Sequence, residues 1–392
     1  MAERKKIALC LEYPLALRGG VSVLVESLIE GLAPDFDPVV VSPDSPEELA
    51  ASPVAPLIRQ HVPWGPAQPS PARARLLADK LQAVGVDLAH FHLGGNFGWG
   101  NRFPNQSPLT HVACRGIPVV SSVHLVVHAL DGFCGPQKPL WFKLAMLPLA
   151  WTGKMQTLAH VRREIAVSHH DLHKLRRWYW PLRGRFGQIY HSRLRQAAQP
   201  APGGPREKAI LNVGHIAARK GQQILAAAFA RIAPRYPDWQ LWLVGHVAEE
   251  ACAAEVRQIA AAHGLEKRIL FTGARQDAYD WMSRAGLYVQ PSLAEALGLA
   301  LQEAMFRGCP AIGSRVGGIP ELIDHEKTGL LVTPGHTDEL ASALEKCLAN
   351  PDLRAQYGRA GATSMVTKGM TFEQMVLRHV RLYRAILGAE KK

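Results

Sequence analysis

Short apolar runs alternate with helical patterns along the whole chain, and they do so in two series. In the first half the runs are KIALCLE (6–12), DPVVVSP (37–43), LAHFHL (88–93), PVVSSVH (118–124), REIAVS (163–168) and GQIYHS (187–192). In the second half they are AILNVG (209–214), QLWLVG (240–245), ILFTG (269–273), LYVQPS (287–292), PAIGS (310–314) and GLLV (329–332). Helical patterns fit between them, over 21–32, 222–235, 250–263, 298–307 and 336–348. Strands that are apolar almost throughout, alternating with helices, mark parallel sheets buried on both faces. Two series imply two doubly wound α/β domains. The length agrees: 392 residues exceed one ordinary core, and two domains of roughly 150–200 residues are the natural division.

The segment QAAQPAPGGPREK (196–208) is rich in Pro, Gly and Ala and has no periodicity, so it reads as the linker. The expected domains are therefore 1–200 and 207–371. The last segment, FEQMVLRHVRLYRAILGAEKK, has an apolar helical stripe through Phe372, Met375, Val376, Val380, Leu382, Tyr383 and Ile386. That stripe is expected to pack back on the N-terminal domain as a helix over 372–392.

Charge is uneven. The net charge is +12; residues 1–206 hold 23 Lys/Arg against 14 Asp/Glu, and residues 207–392 hold 22 against 19. The excess peaks in HKLRRWYWPLRGRFGQIYHSRLR (173–195), which has no acid. A face of this kind attracts phosphates, nucleic acid or an anionic membrane surface. Nucleic acid is set aside, because no binding module or regular interleaving of aromatics accompanies the charge. Residues 132–163 carry five Lys/Arg, no acid, and Trp141, Phe142, Leu144, Leu147, Leu149 and Trp151. Two readings fit that mixture: a helix lying on a membrane surface, or a buried helical hairpin.

No run reaches the roughly 18 apolar residues of a membrane span. The start, MAERKKIALCLEYP, meets Glu12 and Pro14 too early for a signal peptide, so a first strand is expected there. The protein is expected in the cytoplasm, peripheral on the inner face of the cell membrane. Six cysteines form no C-x-x-C pair and read as reduced structural thiols. SHHDLH (168–173) reads as a polar strand-to-helix junction in preference to a metal site.

The chemistry concentrates in EALGLALQE (295–303), two carboxylates bracketing an apolar run. The run follows a strand, and in an open parallel sheet the ligand crevice lies beyond the strands' carboxyl ends. Glu295 then falls in the crevice loop, and Glu303 lies about one and a half turns into the helix. Amides near Gly298 and Leu299 open that helix and suit a phosphate. Acids beside a phosphate site suggest a ligand with both hydroxyls and phosphates, as in a nucleotide sugar.

The segment PSLAEALGLALQEAMFRGCPAIGSRVGGIPELI, followed by GLLV, resembles the donor-site signature of family 4 retaining glycosyltransferases of GT-B fold, through E-x7-E and its continuation. ALRGGVSVLVESL (16–28), VVSSVHL (119–125) and LNVGHIAARKGQQILAAAF (211–229) resemble further family features in the expected order. The resemblance implies two Rossmann-like domains facing across a cleft, acceptor side first and donor side second. It implies that Glu303 holds the nucleotide's ribose and Glu295 the donor sugar's hydroxyls. The amides of Gly298 and Leu299, with Gly19 and Gly20, would meet the diphosphate. Lys220 would neutralise the leaving phosphate, and His124 would sit by the anomeric region. One departure stands out: His215 replaces the family's usual Arg, with Arg219 and Lys220 close by in sequence. Ala296-Leu297 replaces the usual Gly-Phe.

The implied reaction moves a hexose from a nucleotide-diphosphate sugar, UDP by family habit, to a hydroxyl acceptor, lipid-linked or glycan. Double displacement needs a nucleophilic carboxylate that the family lacks, so front-face attack is the expected route to retention. No cofactor is expected. No metal is expected either, since the D-x-D-like DFD (35–37) sits before the second strand. The alternative enzyme is a GT-B nucleotide-sugar epimerase or a phosphorylase. HFHLGGNFGWGNR (90–102) reads equally as an acceptor-lining segment or a structural loop.

Overall fold

The computed structural model describes residues 4–16, 19–65, 68–101, 103–126, 137–196, 206–275 and 277–389. Most of the expected linker, 197–205, lies outside them. The chain forms two compact units: Met1–Arg193 with Phe372–Lys392, and Leu194–Thr371.

Unit 1 holds a seven-stranded sheet of β1 (Lys6–Leu11), β2 (Asp37–Ser42), β3 (Gln60–Pro63), β4 (Leu88–Leu93), β5 (Val119–Val123), β6 (Arg163–Ala166) and β7 (Phe186–Gln188). The order is β3-β2-β1-β4-β5-β6-β7, with every pairing parallel. Successive residues of β1 feed two different cores. Ile7, Leu9 and Leu11 pack on one face with Leu24, Leu28 and the C-terminal Met375, Val380 and Tyr383; Ala8 and Cys10 pack on the other with Leu77, Leu81 and Val112. Helix Phe372–Ala389 is thus part of the unit 1 core.

Unit 2 holds six parallel strands: β8 (Glu207–Val213), β9 (Gln240–Val244), β10 (Ile269–Gly273), β11 (Ala285–Gln290), β12 (Ala311–Ser314) and β13 (Leu330–Val332). Their order is β10-β9-β8-β11-β12-β13. Helices Gln222–Ile232, Glu250–Ala262 and Thr337–Ala349 place Leu225, Phe229, Val256, Leu340 and Leu344 in one core with Leu241, Leu243 and Val289. In both sheets the strand order reverses beside the first strand, at β1/β4 and at β8/β11. The loops leaving such a pair diverge, and a ligand crevice opens at their carboxyl ends.

Three sequence expectations change. GQIYHS (187–192) contributes only Phe186–Gln188 as strand, at the sheet edge beside β6. β3 arises from QHVP, where no strand is expected. The 132–163 stretch is one helix from Leu140 to His160 and not a hairpin of two, among the described residues. SHHDLH is a helix start, with the Ser168 side chain accepting from Asp171 N.

Candidate active site

The β8/β11 reversal gathers the unit 2 candidates. After β8 the chain passes Gly214 and His215 and makes a short 3-10 turn, Ala218–Lys220, before helix Gln222–Ile232. After β11 it runs through Pro291–Gly298 into helix Leu299–Phe306. Backbone and side chain stitch the two loops together. Leu293 N donates to Arg219 O at 2.8 Å, and the Arg219 guanidinium donates to Ala294 O at 2.9 Å. Two glycines make this approach possible. A Cβ on Gly221, at φ 75°, would fall 2.1 Å from Pro291 O, and one on Gly317, at φ 58°, would fall 1.7 Å from Glu295 O. No side chain fits either place. Gly318 N then holds Ala296 O at 2.9 Å, so the VGG loop fixes the segment that carries Glu295.

Glu295 accepts from Lys220 Nζ at 2.7 Å, from Ser292 Oγ at 3.3 Å and from Gln290 Nε2 at 3.4 Å, all on Oε2. The Lys220 and Glu295 side chains are 16% and 11% exposed. A pair so placed keeps both charges at the crevice without removing them wholly from water. Gln290 is held in turn by Tyr288 Oη at 2.7 Å. Burial, and then the nearby carboxylates Glu303 and Glu295, push the Tyr288 hydroxyl well up, so it remains a donor at neutral pH.

Glu303 is on the helix that Gly298 caps. It is buried, with Tyr279 Oη donating to Oε1 at 3.4 Å. Gln302 N to Gly298 O is the helix's first bond. The Gly298 and Leu299 amides therefore belong to the first turn, which has no intrahelical acceptors and carries partial positive charge. Below the loops, Asn212 and Gln222 form a buried strut: Gln222 Nε2 donates to Asn212 Oδ1 at 3.1 Å and to His215 O at 2.9 Å. His215 Nδ1 lies 3.2 Å from His246 Nδ1. Desolvation first, then His246, Lys220 and Arg219, lower the His215 pKa. His215 is therefore neutral at pH 7, and this position lacks the cation an arginine would supply. The Arg219 guanidinium is engaged with Ala294 O instead of standing in for it.

Unit 1 carries the remaining candidates. Gly19 is the N-cap of helix Gly20–Leu32, and Val23 N donates to Gly19 O. Leu17 and Arg18 of the expected glycine loop lie outside the described residues. Asp44 braces the loop upstream by accepting Leu15 N at 2.7 Å and Ala16 N at 2.9 Å, a role its sequence context does not announce.

His124, just after β5, belongs to a cluster that sequence reasoning missed. His92 Nδ1 is 3.1 Å from His124 Nε2, and the His124 and His191 rings are 5.0 Å apart. His90 bonds Tyr383 Oη at 2.5 Å and Ser122 Oγ at 2.8 Å, and its ring lies 4.2 Å from that of His92 at a tilt of 34°. His379, from the C-terminal helix, lies 5.7 Å from His90 and 6.1 Å from His191. Burial lowers the pKa of all five, His124 to about 3 and His379 to about 4. The HFH pattern in β4, which puts two histidines on one sheet face, was the available signal. No group of three or more possible metal ligands is present among the described residues.

The described part of the 90–102 segment, 90–101, folds onto Glu12. Trp99 N donates to Glu12 Oε1 at 2.5 Å, Trp99 Nε1 donates to His92 O at 3.2 Å, and the Trp99 ring meets Phe91 edge-on. Phe97, Trp99 and Asn101 are buried, which makes this a structural loop in large part.

Residues 18–191 match the family described as Glycosyltransferase Family 4, and residues 207–350 match Glycosyl transferases group 1. Among curated relatives, N-acetyl-alpha-D-glucosaminyl L-malate synthase of Bacillus anthracis is 32% identical over 47% of this chain, and the match spans only 47% of that protein's length. D-inositol 3-phosphate glycosyltransferase of Saccharomonospora viridis is 26% identical over 87% of this chain and 84% of its own. Among solved structures, Anabaena HepE in complex with UDP superposes with a TM-score of 0.74 at 18% identity, over 97% of this chain and 100% of that one. That likeness shows the fold.

Proposed function

From the premise that this chain belongs to the GT-B glycosyltransferases, with a Family 4 region followed by a group 1 region, we propose that it transfers a hexose from a UDP-sugar to a hydroxyl acceptor with retention of configuration. The observation that carries the proposal is the meeting of the β8 and β11 loops. There the Lys220–Glu295 pair stands beside the helix start at Gly298 and Leu299, with Glu303 inside the same helix. UDP in the Anabaena structure supports the choice of nucleotide.

Each group has a role in this reading. Glu303 accepts from the ribose hydroxyls and Glu295 from the hydroxyls of the donor sugar. The Gly298 and Leu299 amides bind the diphosphate, and the helix start at Gly19 and Gly20 in unit 1 is likewise suited to a phosphate. Lys220 keeps its contact with Glu295 and turns a second N–H to the departing phosphate. Neutral His124, in unit 1, suits a sugar hydroxyl without adding charge. The acceptor hydroxyl attacks C1 on the face the diphosphate leaves. The C1–O bond to phosphate breaks as the new glycosidic bond forms, and the hydroxyl proton passes to a β-phosphate oxygen. The chain's own residues need supply no cofactor. The basic excess of the N-terminal half supports an acceptor presented at an anionic lipid surface, in cell-envelope glycan or glycolipid synthesis.

The test is to incubate the protein with a set of nucleotide sugars and with lipid-linked and oligosaccharide acceptors. Products are read by mass spectrometry and the anomeric coupling by NMR. An α-linked product from an α-linked donor is expected. Conversion of nucleotide sugar without acceptor points to an epimerase instead, and an inverted linkage removes the retaining mechanism.

A further inference from the structure

Helix Leu140–His160 is turned inside out. Its buried side holds Lys143, Ala150, Gly153, Lys154 and Thr157, with Leu158 as its one large apolar residue in the core. Lys154 has no exposed surface and pairs at 2.7 Å with Glu164, itself fully buried. The outward side holds Leu140 (64% exposed), Trp141 (70%), Leu144, Leu149 and Trp151. Leu140, Leu144 and Trp151 are spaced by four and seven residues and so fall on one stripe, which Trp141 and Leu149 flank. A helix on a water-facing surface orients the other way, with lysines out and leucines in. The medium that this face meets is therefore not bulk water alone.

Its surroundings say what that medium is. Trp151 Nε1 donates to Trp178 O at 3.1 Å, which ties the helix to the end of helix His169–Trp178. The turn that follows, Trp180–Arg185, presents Trp180 at 69% exposure with Arg183, and Arg176 and Arg177 are exposed just before it. No acid occurs anywhere in 172–206. Tryptophans have an affinity for the headgroup boundary, leucines for the acyl edge, and arginines for lipid phosphates. The helix is not long and apolar enough to cross a membrane, in common with every helix among the described residues.

We propose that this face, Leu140–Trp151 with Trp180 and its flanking arginines, seats unit 1 on an anionic phospholipid surface as an in-plane helix. The inference deepens the proposed lipid-surface acceptor and rests on it.

The experiment is co-sedimentation with phosphatidylcholine vesicles, with and without phosphatidylglycerol, at low and high salt. The wild type is compared with Trp141→Ser/Leu144→Ser/Trp151→Ser. Circular dichroism and UDP-induced thermal shift confirm that the variant is folded with an intact donor site. The wild type is expected to bind the anionic vesicles at low salt, with a blue shift of tryptophan emission, and the variant to bind at least about tenfold more weakly. Equal binding by the variant overturns the assignment of this face and leaves the lipid-surface reading standing. No binding by the wild type removes that reading as well. Sedimentation equilibrium without lipid covers the other occupant: concentration-dependent dimerisation abolished by the same substitutions would assign the face to a second copy of the chain and overturn the proposal.

Discussion

The two units share a sheet plan and treat polar groups in opposite ways. At the reversal in unit 2, the polar groups form a partly wet ion pair, Lys220 on Glu295, with Arg219 pinning the loop. Around β4 in unit 1, the polar groups are neutral histidines: His90, His92, His191 and His379 are buried, and His124 is half-buried. The helices differ likewise. Thr337–Ala349 in unit 2 turns Leu340, Leu344, Cys347 and Leu348 inward, whereas Leu140–His160 in unit 1 turns lysines inward and tryptophans outward. Topology thus sets where a ligand can sit, and burial sets which charge the site can hold. A unit that neutralises a departing phosphate must keep its cation near water and paired.

Six substitutions break or sharpen that contrast. The largest effect belongs to the buried pair. Lys154→Met leaves Glu164 ionisable with no cation at 0% exposure, and should cost about 3–5 kcal/mol in denaturant unfolding. Lys208→Met, which breaks the exposed pair with Asp238, should leave the midpoint unchanged. Next come Lys220→Ala and Glu303→Ala, each expected to lower product formation by about 10²–10³-fold with folding retained. A loss below threefold in either removes that residue from the donor site.

The third contrast is pH. The histidine cluster has folded pKa values below the ordinary 6.5, so the unfolded chain binds more protons in acid. The stability from these groups is complete above 6.5 and is lost as pH falls towards about 4 for His379 and about 3 for His124. Each contributes a slope of about 1.4 kcal/mol per pH unit in that window. His379→Gln should flatten the acid limb by one such slope, read from urea midpoints across the pH range; an unchanged limb would mean the buried histidine does not titrate on unfolding. The smallest effect is expected at His215. In the wild type, donor binding should tighten as pH falls and His215 gains charge. His215→Arg should tighten binding at pH 7 by about fivefold and remove that pH dependence, measured by titration of UDP.

Much of this was legible in the sequence where one short segment carries the information. Residues 291–303 alone supply the turn, Glu295, the helix start and Glu303, and their spacing along one strand–loop–helix step is fixed by backbone geometry. The central strands were legible because parallel strands covered on both faces must be apolar at consecutive positions. β3 was not, because only Val62 of its four residues is buried at the sheet edge. The histidine cluster was not legible either. It joins positions 90, 92, 124, 191 and 379, drawn from β4, the ends of β5 and β7, and the C-terminal helix, and only the folded sheet brings them together. The same holds for Asp44 and Glu12, whose partners are backbone amides with no sequence mark. The outward face of Leu140–His160 lay midway: its composition was visible, but which side faces out depends on Glu164 capturing Lys154.

The most direct test of the donor site is calorimetric titration of UDP into the wild-type chain and into Glu303→Ala. One site per chain is expected, with Kd in the range of about 1 μM–1 mM for the wild type and binding at least about tenfold weaker for the variant. Absence of heat with UDP and with every other nucleoside diphosphate, or the same Kd in both proteins, would contradict that expectation.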